Sequence, residues 1–427
     1  MNSFDNIIGY LGEKKELQEI AKAMRNQKCL KAMNAHLPRG ILIYGNPGLG
    51  KTTMAKAFVE ESGAKPFFVS KRSDSVNMVE YLEKTFEEAI KASEKGPVAV
   101  LLDDVDSYGD TEKENRVFHV LQGEIDRLKE CNAIVVATAN NLGALPRPLI
   151  RKGRFDVLMG LMSPSPEEGR EIIKHYLKEK PLDSTLNIED LTGMISYCSC
   201  AELESLINQG ALVAAFKGKD KIDLSDFTEA YLNEREGRES PDSFSKNEEG
   251  THNTAIHEAG HAAMAELLKK GSVGLVAVGY WGSRETGPSG LTSLAGTLLR
   301  RSEKILAALA GKAASELFVS GRCASGCQKD LQTAYGLVYD GISKNGTRGL
   351  SLISSYDEDS EALGREMSAA IHAELERSFL MTKEILSNNK DFVLAIAKEL
   401  EEKRRLHYSD IQRIRGTVKL LPPGQYL

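Results

Sequence analysis

The residues Gly45-Asn46-Pro47-Gly48-Leu49-Gly50-Lys51-Thr52 constrain the fold more than any other stretch. They fit G-x4-G-K-[ST] and follow a short apolar run, Gly40-Ile41-Leu42-Ile43-Tyr44. A loop of this kind cradles phosphate when a strand delivers it and a helix leaves it. The glycines then let backbone N–H groups turn inward around the anion at the helix N-terminus. Lys51 brings a point charge to the outer phosphates and the Thr52 hydroxyl can ligate Mg2+. Thr53, next on the same turn, is counted with the site. A chance glycine-rich turn leaves the strand before it and the helix after it unexplained.

Two further runs support a parallel sheet. Pro97-Val98-Ala99-Val100-Leu101-Leu102 ends in Asp103, and Ala133-Ile134-Val135-Val136-Ala137-Thr138 leads to Asn140. Short continuous apolar runs suit strands buried on both faces, and residues 77–94 between them have helical spacing. Residues 1–160 therefore read as an open α/β sheet with its chemistry at the carboxyl ends of the strands. An acid at the end of a strand beside the phosphate loop is the expected Mg2+ holder, which assigns Asp103; Asp104 then polarises the attacking water. Asp106 reads as a helix cap or a solvated acid.

From Ser165-Pro166-Glu167-Glu168, a helix start with Ser as cap and Pro in the first turn, the pattern is helical to about residue 235. Residues 161–235 read as a helical subdomain. Residues 236–250 are polar, rich in Ser and Gly, and read as a linker. Residues 251–427 are mainly helical, interrupted by the strand-like residues 273–281, which offer an edge strand for main-chain pairing.

This last region carries His257-Glu258-Ala259-Gly260-His261 on a helix-forming stretch. The i, i+4 spacing sets both imidazoles on one face, able to bind one Zn2+, and Glu258 can reach a water there as general base. Small neighbours let the helix lie close to others. Two histidines need a third ligand. The only later histidines, His372 and His407, have no supporting motif.

Composition excludes little else. The 427 residues allow two or three domains, and 41% apolar with 27% charged is ordinary for a globular protein. A net charge of −6 gives no reason to expect nucleic acid or an anionic membrane as the main partner. Lys403-Arg404-Arg405 follows Glu401-Glu402 and reads as a solvated helix face. No segment approaches the ~20 apolar residues of a membrane span, and the N-terminus lacks signal-peptide character. The expectation is a soluble chain in the cytoplasm. The six cysteines lack paired CxxC spacing, and reduced thiols are expected. Cys198-x-Cys200 and Cys323-x3-Cys327 resemble metal half-sites without second halves.

Residues 140–156 (NNLGALPRPLIRKGRFD) resemble the second region of homology of AAA+ ATPases. The resemblance implies Asn140 as the sensor after the third strand, and Arg151 and Arg154 as arginine fingers acting on the ATP of a neighbouring subunit. A guanidinium on the γ-phosphate stabilises transition-state charge; the alternative is surface salt bridging. By the same resemblance His175 and Ile8-Gly9 contact the base or ribose. Ser325-Gly326-Cys327-Gln328-Lys329-Asp330-Leu331-Gln332-Thr333-Ala334 resembles a segment of FtsH-type AAA+ metalloproteases whose Asp is the third zinc ligand. That implies Asp330, with His372 as rival. Phe4 to Gly9, Cys200 to Leu206, Gly311 to Glu316 and residues 400–411 resemble further family segments, so the likeness covers nearly the whole chain. It implies an α/β AAA+ P-loop domain with a helical lid, then a mainly α-helical zinc metalloprotease domain. It also implies a homohexameric ring that uses ATP to unfold and degrade protein substrates.

Three departures stand out. Family members usually carry N-terminal membrane spans, whereas this chain starts almost at the ATPase domain and is expected to be soluble or attached by a partner. The family's catalytic Glu is Asp104, whose carboxylate sits about 1.5 Å further back, so slow hydrolysis is expected. The aromatic pore loop after Ser73-Asp74 is about five residues short by comparison with the family pattern. Met78, Val79 or Tyr81 can substitute, although the spacing to Leu82 and Phe86 makes Tyr81 a core residue. Two other readings stay open: a zinc peptidase of unfolded chains with ATP used mainly for assembly, and a chaperone-like ATPase with little proteolysis.

Overall fold

The computed structural model describes residues 3–26, 30, 32–71, 77–109, 115–195, 198–237, 248–279, 289–294, 299–319, 327–344 and 361–424. The chain divides into two compact units, Met1–His175 with Cys198–Ser205, and Tyr176–Tyr197 with Leu206–Leu427.

In the first unit, strands β1 (Gly40–Tyr44), β2 (Lys65–Ser70), β3 (Val98–Asp103), β4 (Ala133–Ala139) and β5 (Val157–Gly160) form one sheet in the order β2-β3-β4-β1-β5. All neighbours are parallel. The apolar runs predicted this, because alternate residues of each strand feed cores on opposite faces. Ile41 and Ile43 meet Leu17, Ala21 and Met24 of α1 (Leu11–Arg25) and Met54 and Phe58 of α2 (Lys51–Ser62). Leu42 faces Leu82 and Phe86 of α3 (Met78–Ser93) and Leu121 and Ile125 of α4 (Asn115–Arg127). The pairing Ile43↔Thr138 and Leu102↔Ala137 aligns the ends of β1, β3 and β4, so Gly45, Asp103 and Asn140 emerge together. Tyr81 belongs to the core reading: its hydroxyl donates to the Phe68 carbonyl at 2.9 Å and its half-buried side chain packs on the sheet. Ser73 to Val76 of the expected pore loop lie outside the described residues.

Helix α5 (Pro166–Leu177) starts as expected. Ser165 Oγ accepts from Glu168 N at 3.2 Å, and Glu168 Oε2 accepts from Ser165 N at 2.9 Å, a reciprocal cap.

The second unit holds α6 (Ile188–Ile195), most of α7 (Cys200–Phe216), α8 (Leu224–Arg235), α9 (Glu248–Leu268), β6 (Val273–Gly279), β7 (Ser289–Leu294), α10 (Arg301–Phe318), α11 (Gln328–Ser343), α12 (Glu361–Asn388), α13 (Lys390–Lys403), β8 (Arg405–His407) and α14 (Tyr408–Thr417). Residues 238–247 of the expected linker lie outside the described residues. Helix α10 is the spacer of this unit. One face packs Ala307, Ala310 and Ala314 on the small residues Ala259, Ala262 and Ala263 of α9. The other packs Ile305 and Leu309 on Ala334, Val338 and Ile342 of α11. Helix α6 crosses β6 so closely that a Cβ at Gly274 would stand 2.0 Å from the Gly193 carbonyl oxygen. Asp190 of α6 accepts from Ser409 N and Oγ at 2.7 and 2.8 Å.

The expectation of an edge strand at 273–281 is corrected. Strand β6 is central, in the order β7-β6-β8, and both its main-chain edges are paired antiparallel. The edge beside the H-E-x-x-H helix is β7. Tyr280 and Trp281 lie outside the described residues. Among the described residues no helix is long and apolar enough to cross a membrane.

Candidate nucleotide and metal sites

The glycine-rich loop turns as its sequence predicts. Gly48 has φ +79°, a left-handed conformation that disfavours any side chain, and a Cβ there would meet Ser199 Oγ at 2.7 Å. Lys51 is buried. Its Nζ donates to the Asn46 carbonyl at 2.8 Å and to Asn140 Oδ1 at 2.7 Å. Burial lowers its pKa, and the negative charges of Asp104, Asp106 and Asp103 work against that. Thr52 Oγ1 and Thr138 Oγ1 each donate to Asp103 Oδ1 at 2.7 Å, and Asp104 N donates to Thr138 Oγ1 at 2.8 Å. Asn140 also donates through Nδ2 to Asp104 Oδ1 at 3.2 Å, so one amide bridges the lysine and the acid.

Asp104 sits at φ 51° and ψ 52°, a left-handed conformation that Asp tolerates better than most residues. Burial raises its pKa first; the charges of Asp103 and Asp106 add to this, while Lys51 and Asn140 oppose it. The Thr52 hydroxyl and the Asp103 carboxylate it touches are oxygen donors of the kind suited to Mg2+. Asp106 takes a bracing role: its Oδ2 accepts from Asn140 N and Asn141 N at 3.0 and 2.8 Å, fixing the exit of β4.

The two predicted arginine fingers separate. Arg151 is exposed. Arg154 is 8% exposed and donates to Asp126 Oδ2 at 2.9 Å, Gln122 Oε1 at 2.9 Å and the Pro148 carbonyl at 2.6 Å. These donors are engaged inside its own fold, where Arg154 braces the turn before β5.

Ile8 and Gly9 are half-buried, with Gly9 against Glu168. Sequence reasoning missed the next residue. The Tyr10 hydroxyl lies 3.2 Å from the Leu49 carbonyl and 3.0 Å from that of Met162, and its N–H donates to Glu168 Oε1 at 3.0 Å. It ties the entry segment to the phosphate loop. The start of α7 joins the same loop through Ala201 N, which donates to the Gly48 carbonyl at 3.1 Å. His175 lies exposed in the last turn of α5.

The second site forms where α9 and α11 meet across α10. His257 Nε2 and His261 Nε2 stand 3.1 Å apart. Asp330 Oδ2 lies 3.1 Å from the first and 3.4 Å from the second. Ligands at about 2.0–2.1 Å from a tetrahedral ion lie about 3.3 Å from one another, so the three atoms have the spacing of one face of a Zn2+ site. His372, the rival ligand, is exposed, and His407 Nε2 lies 2.9 Å from Thr228 Oγ1. Among the described residues this is the one metal-competent cluster of three.

The cluster's electrostatics favour a cation at its centre. Burial opposes a charge on His261, yet Asp330 and Glu258 raise its pKa to about 9. Burial raises Asp330, but the hydrogen bonds with His257 and His261 outweigh it and hold the carboxyl well below the usual range. The Nδ1–H of His261 donates to the Ala307 carbonyl at 2.7 Å, which turns the Nε2 lone pair to the shared point. Gly311 of α10 was named by resemblance alone. A Cβ there would stand 2.4 Å from His261 Nε2 and 2.5 Å from His257 Nε2, so only glycine leaves room for the ligand face. Glu258, 6% exposed, lies beside this face.

The chain is similar to known proteins along nearly its whole length. Residues 41–162 match the ATPase family associated with various cellular activities (AAA). The ATP-dependent zinc metalloprotease FtsH of Rhodothermus marinus is 30% identical over 460 residues, covering 99% of this chain and 64% of that protein. FtsH 2 of Symbiobacterium thermophilum is 27% identical, covering 96% of this chain and 74% of its own. FtsH 2 of Thermoanaerobacter sp. is also 27% identical, with 96% and 82% covered. The chain thus spans between 64% and 82% of the length of these relatives. With a phosphate loop in the first unit, a His-His-Asp cluster in the second and a match that covers almost all of this chain, the protein is similar along nearly its whole length to the FtsH-type AAA+ zinc metalloproteases.

Proposed function

We propose that the protein is an ATP-dependent zinc endopeptidase that unfolds and degrades protein substrates. The convergence of His257, His261 and Asp330, with Glu258 beside them, carries this reading. Zn2+ held by these three side chains supplies electrophilic polarisation of the scissile carbonyl. Glu258 takes a proton from the attacking water and returns it to the departing nitrogen. An extended substrate pairs its main chain with β7, the sheet edge nearest Glu258. In the first unit, Lys51 and the loop amides hold the ATP phosphates, Thr52 and Asp103 hold Mg2+, Asp104 polarises the water, and Asn140 fixes its direction. Arg151 acts on the ATP of a neighbouring copy, and that role supports a homohexamer. Ile8, Gly9 and His175 contribute to the base and ribose side.

The working division is an ATPase core at 1–160, a lid at 161–235, a linker at 236–250 and the peptidase at 251–427. A reducing compartment, the cytoplasm, suits Cys131, Cys198, Cys200 and Cys327, which form no disulfide.

The test measures degradation of one folded and one unfolded substrate, with and without ATP, by the parent, Lys51→Ala and Glu258→Gln. Cleavage of both substrates is expected to depend on Glu258, and that of the folded substrate also on ATP and Lys51. ATP-independent cleavage of the folded substrate would sink the reading. The short Asp104 favours a second reading, a zinc peptidase of unfolded chains with ATP used for assembly; it predicts unfolded-substrate cleavage that follows oligomer formation, not ATP turnover.

A further inference from the structure

The general base has a partner on the substrate-facing strand. Thr292 Oγ1 of β7 lies 2.6 Å from Glu258 Oε2 and 3.2 Å from the Glu258 carbonyl. The short contact is the one expected when a hydroxyl donates to a carboxylate. Two positions earlier on the same face of the strand, Gly290 has no side chain. A Cβ there would stand 2.3 Å from Glu258 Cγ and 2.4 Å from Oε1, so the backbone lies directly against the carboxylate. Glu258 is thus held between its own helix and β7, with one oxygen bonded to Thr292. The next residue, Ser293, points the other way along the pleat, and its hydroxyl lies 3.0 Å from the Tyr231 hydroxyl of α8. The strand is therefore pinned on both faces.

We propose that Thr292 is a positioning residue: its hydroxyl fixes the carboxylate of Glu258 in the orientation that takes the proton from water. The inference rests on the peptidase reading. A glutamate side chain has several rotamers, and its oxygens swing through more than an ångström between them. A base displaced by about 1 Å loses on the order of a hundredfold in rate. Because β7 is the strand that substrate would join, docking of substrate presses on the segment that sets the base.

The test compares the parent, Thr292→Val, Thr292→Ala and Thr292→Ser on an unfolded peptide substrate. Loss of the hydroxyl in the Val and Ala variants is expected to lower kcat about a hundredfold while KM stays within about twofold, and Ser restores kcat. Ala adds no bulk and reports the same loss if Val does not fold. A second readout uses the zinc-free protein. The 13C resonance of the Glu258 carboxyl, assigned by its disappearance in Glu258→Gln, is expected to move in Thr292→Ala and return in Thr292→Ser. Parent-like kcat in Thr292→Ala, or a resonance that does not move, overturns the inference. A parent that shows no Glu258-dependent cleavage sinks the peptidase reading, and the inference with it.

Discussion

Arg151 and Arg154 lie three positions apart, and only the first is free to reach outside its own fold. The Arg154 guanidinium is almost closed off from water and donates to three partners, including Asp126. Truncating it leaves the buried Gln122 amide oxygen and the Pro148 carbonyl without their donor. Arg154→Ala should therefore lower the stability of the α/β unit by about 1–3 kcal/mol, read as a fall in its thermal midpoint. Arg151→Ala should leave the midpoint unchanged and lower ATP turnover only under conditions where the protein assembles. Equal midpoints for Arg154→Ala and the parent would return Arg154 to a catalytic role. The sequence pattern alone could not separate the two arginines, because their difference lies in Asp126 and Gln122, on a helix that no motif marks. Thr138 and Tyr10 escaped for the same reason. Each acts through bonds to residues dozens of positions away, whereas Lys51, Asp103, His257 and His261 announce themselves through local spacing.

At the scale of elements, local periodicity gave faces but not neighbours. The apolar run of β6 implied a strand but not its place in the sheet, and all seven of its residues are buried. Its lateral partners came from β7 and from a three-residue strand more than a hundred positions on, which no window reading reveals. The small residues around His257 did imply a close helix crossing, and the partner proved to be α10. At Gly311 this crossing touches the metal face, so Gly311→Ala should expel zinc while the fold survives. The measurement is the zinc-to-protein ratio after dialysis, expected to fall well below one where the parent retains its metal. Retention of full occupancy would mean that α10 gives way, and that the close approach is not needed for binding. A pH effect belongs to β8. Burial lowers the pKa of the half-buried His407; Asp190 and Asp410 oppose this, and Arg405 and Lys403 reinforce it. A histidine held neutral in the fold gives stability that is fully present above its unfolded value of about 6.5 and is lost as pH falls through the folded value. The midpoint of the second unit should fall as pH drops from about 6.5 toward 5, and His407→Gln should flatten that slope. An unchanged slope would place its origin in another group.

For the whole molecule, the two chemistries make different demands, and Asp104 is where they separate. An unstructured peptide needs only the zinc site and a strand edge. A folded substrate with about 5–15 kcal/mol of stability exposes its chain to that edge in fewer than about one molecule in a thousand, so its degradation needs work from ATP. In the proposed ATPase site, Asp104 is one methylene shorter than the acid of the family pattern. It also lies in a left-handed turn with its carboxylate bonded to Asn140. Turnover of ATP should therefore limit degradation of folded substrates and leave cleavage of short peptides untouched. Asp104→Glu tests this directly. The longer side chain brings the carboxylate about 1.5 Å nearer the phosphates, and ATP turnover should rise by roughly ten- to a hundredfold. Degradation of a folded substrate should rise with it, and the rate on an unstructured peptide should stay at the parental value. If ATP turnover rises while the folded substrate is degraded no faster, hydrolysis does not set the pace of unfolding. The limiting element would then be the short segment after Ser73, where the chain lacks the family's gripping aromatic, and restoring an aromatic there should raise folded-substrate degradation where Asp104→Glu did not.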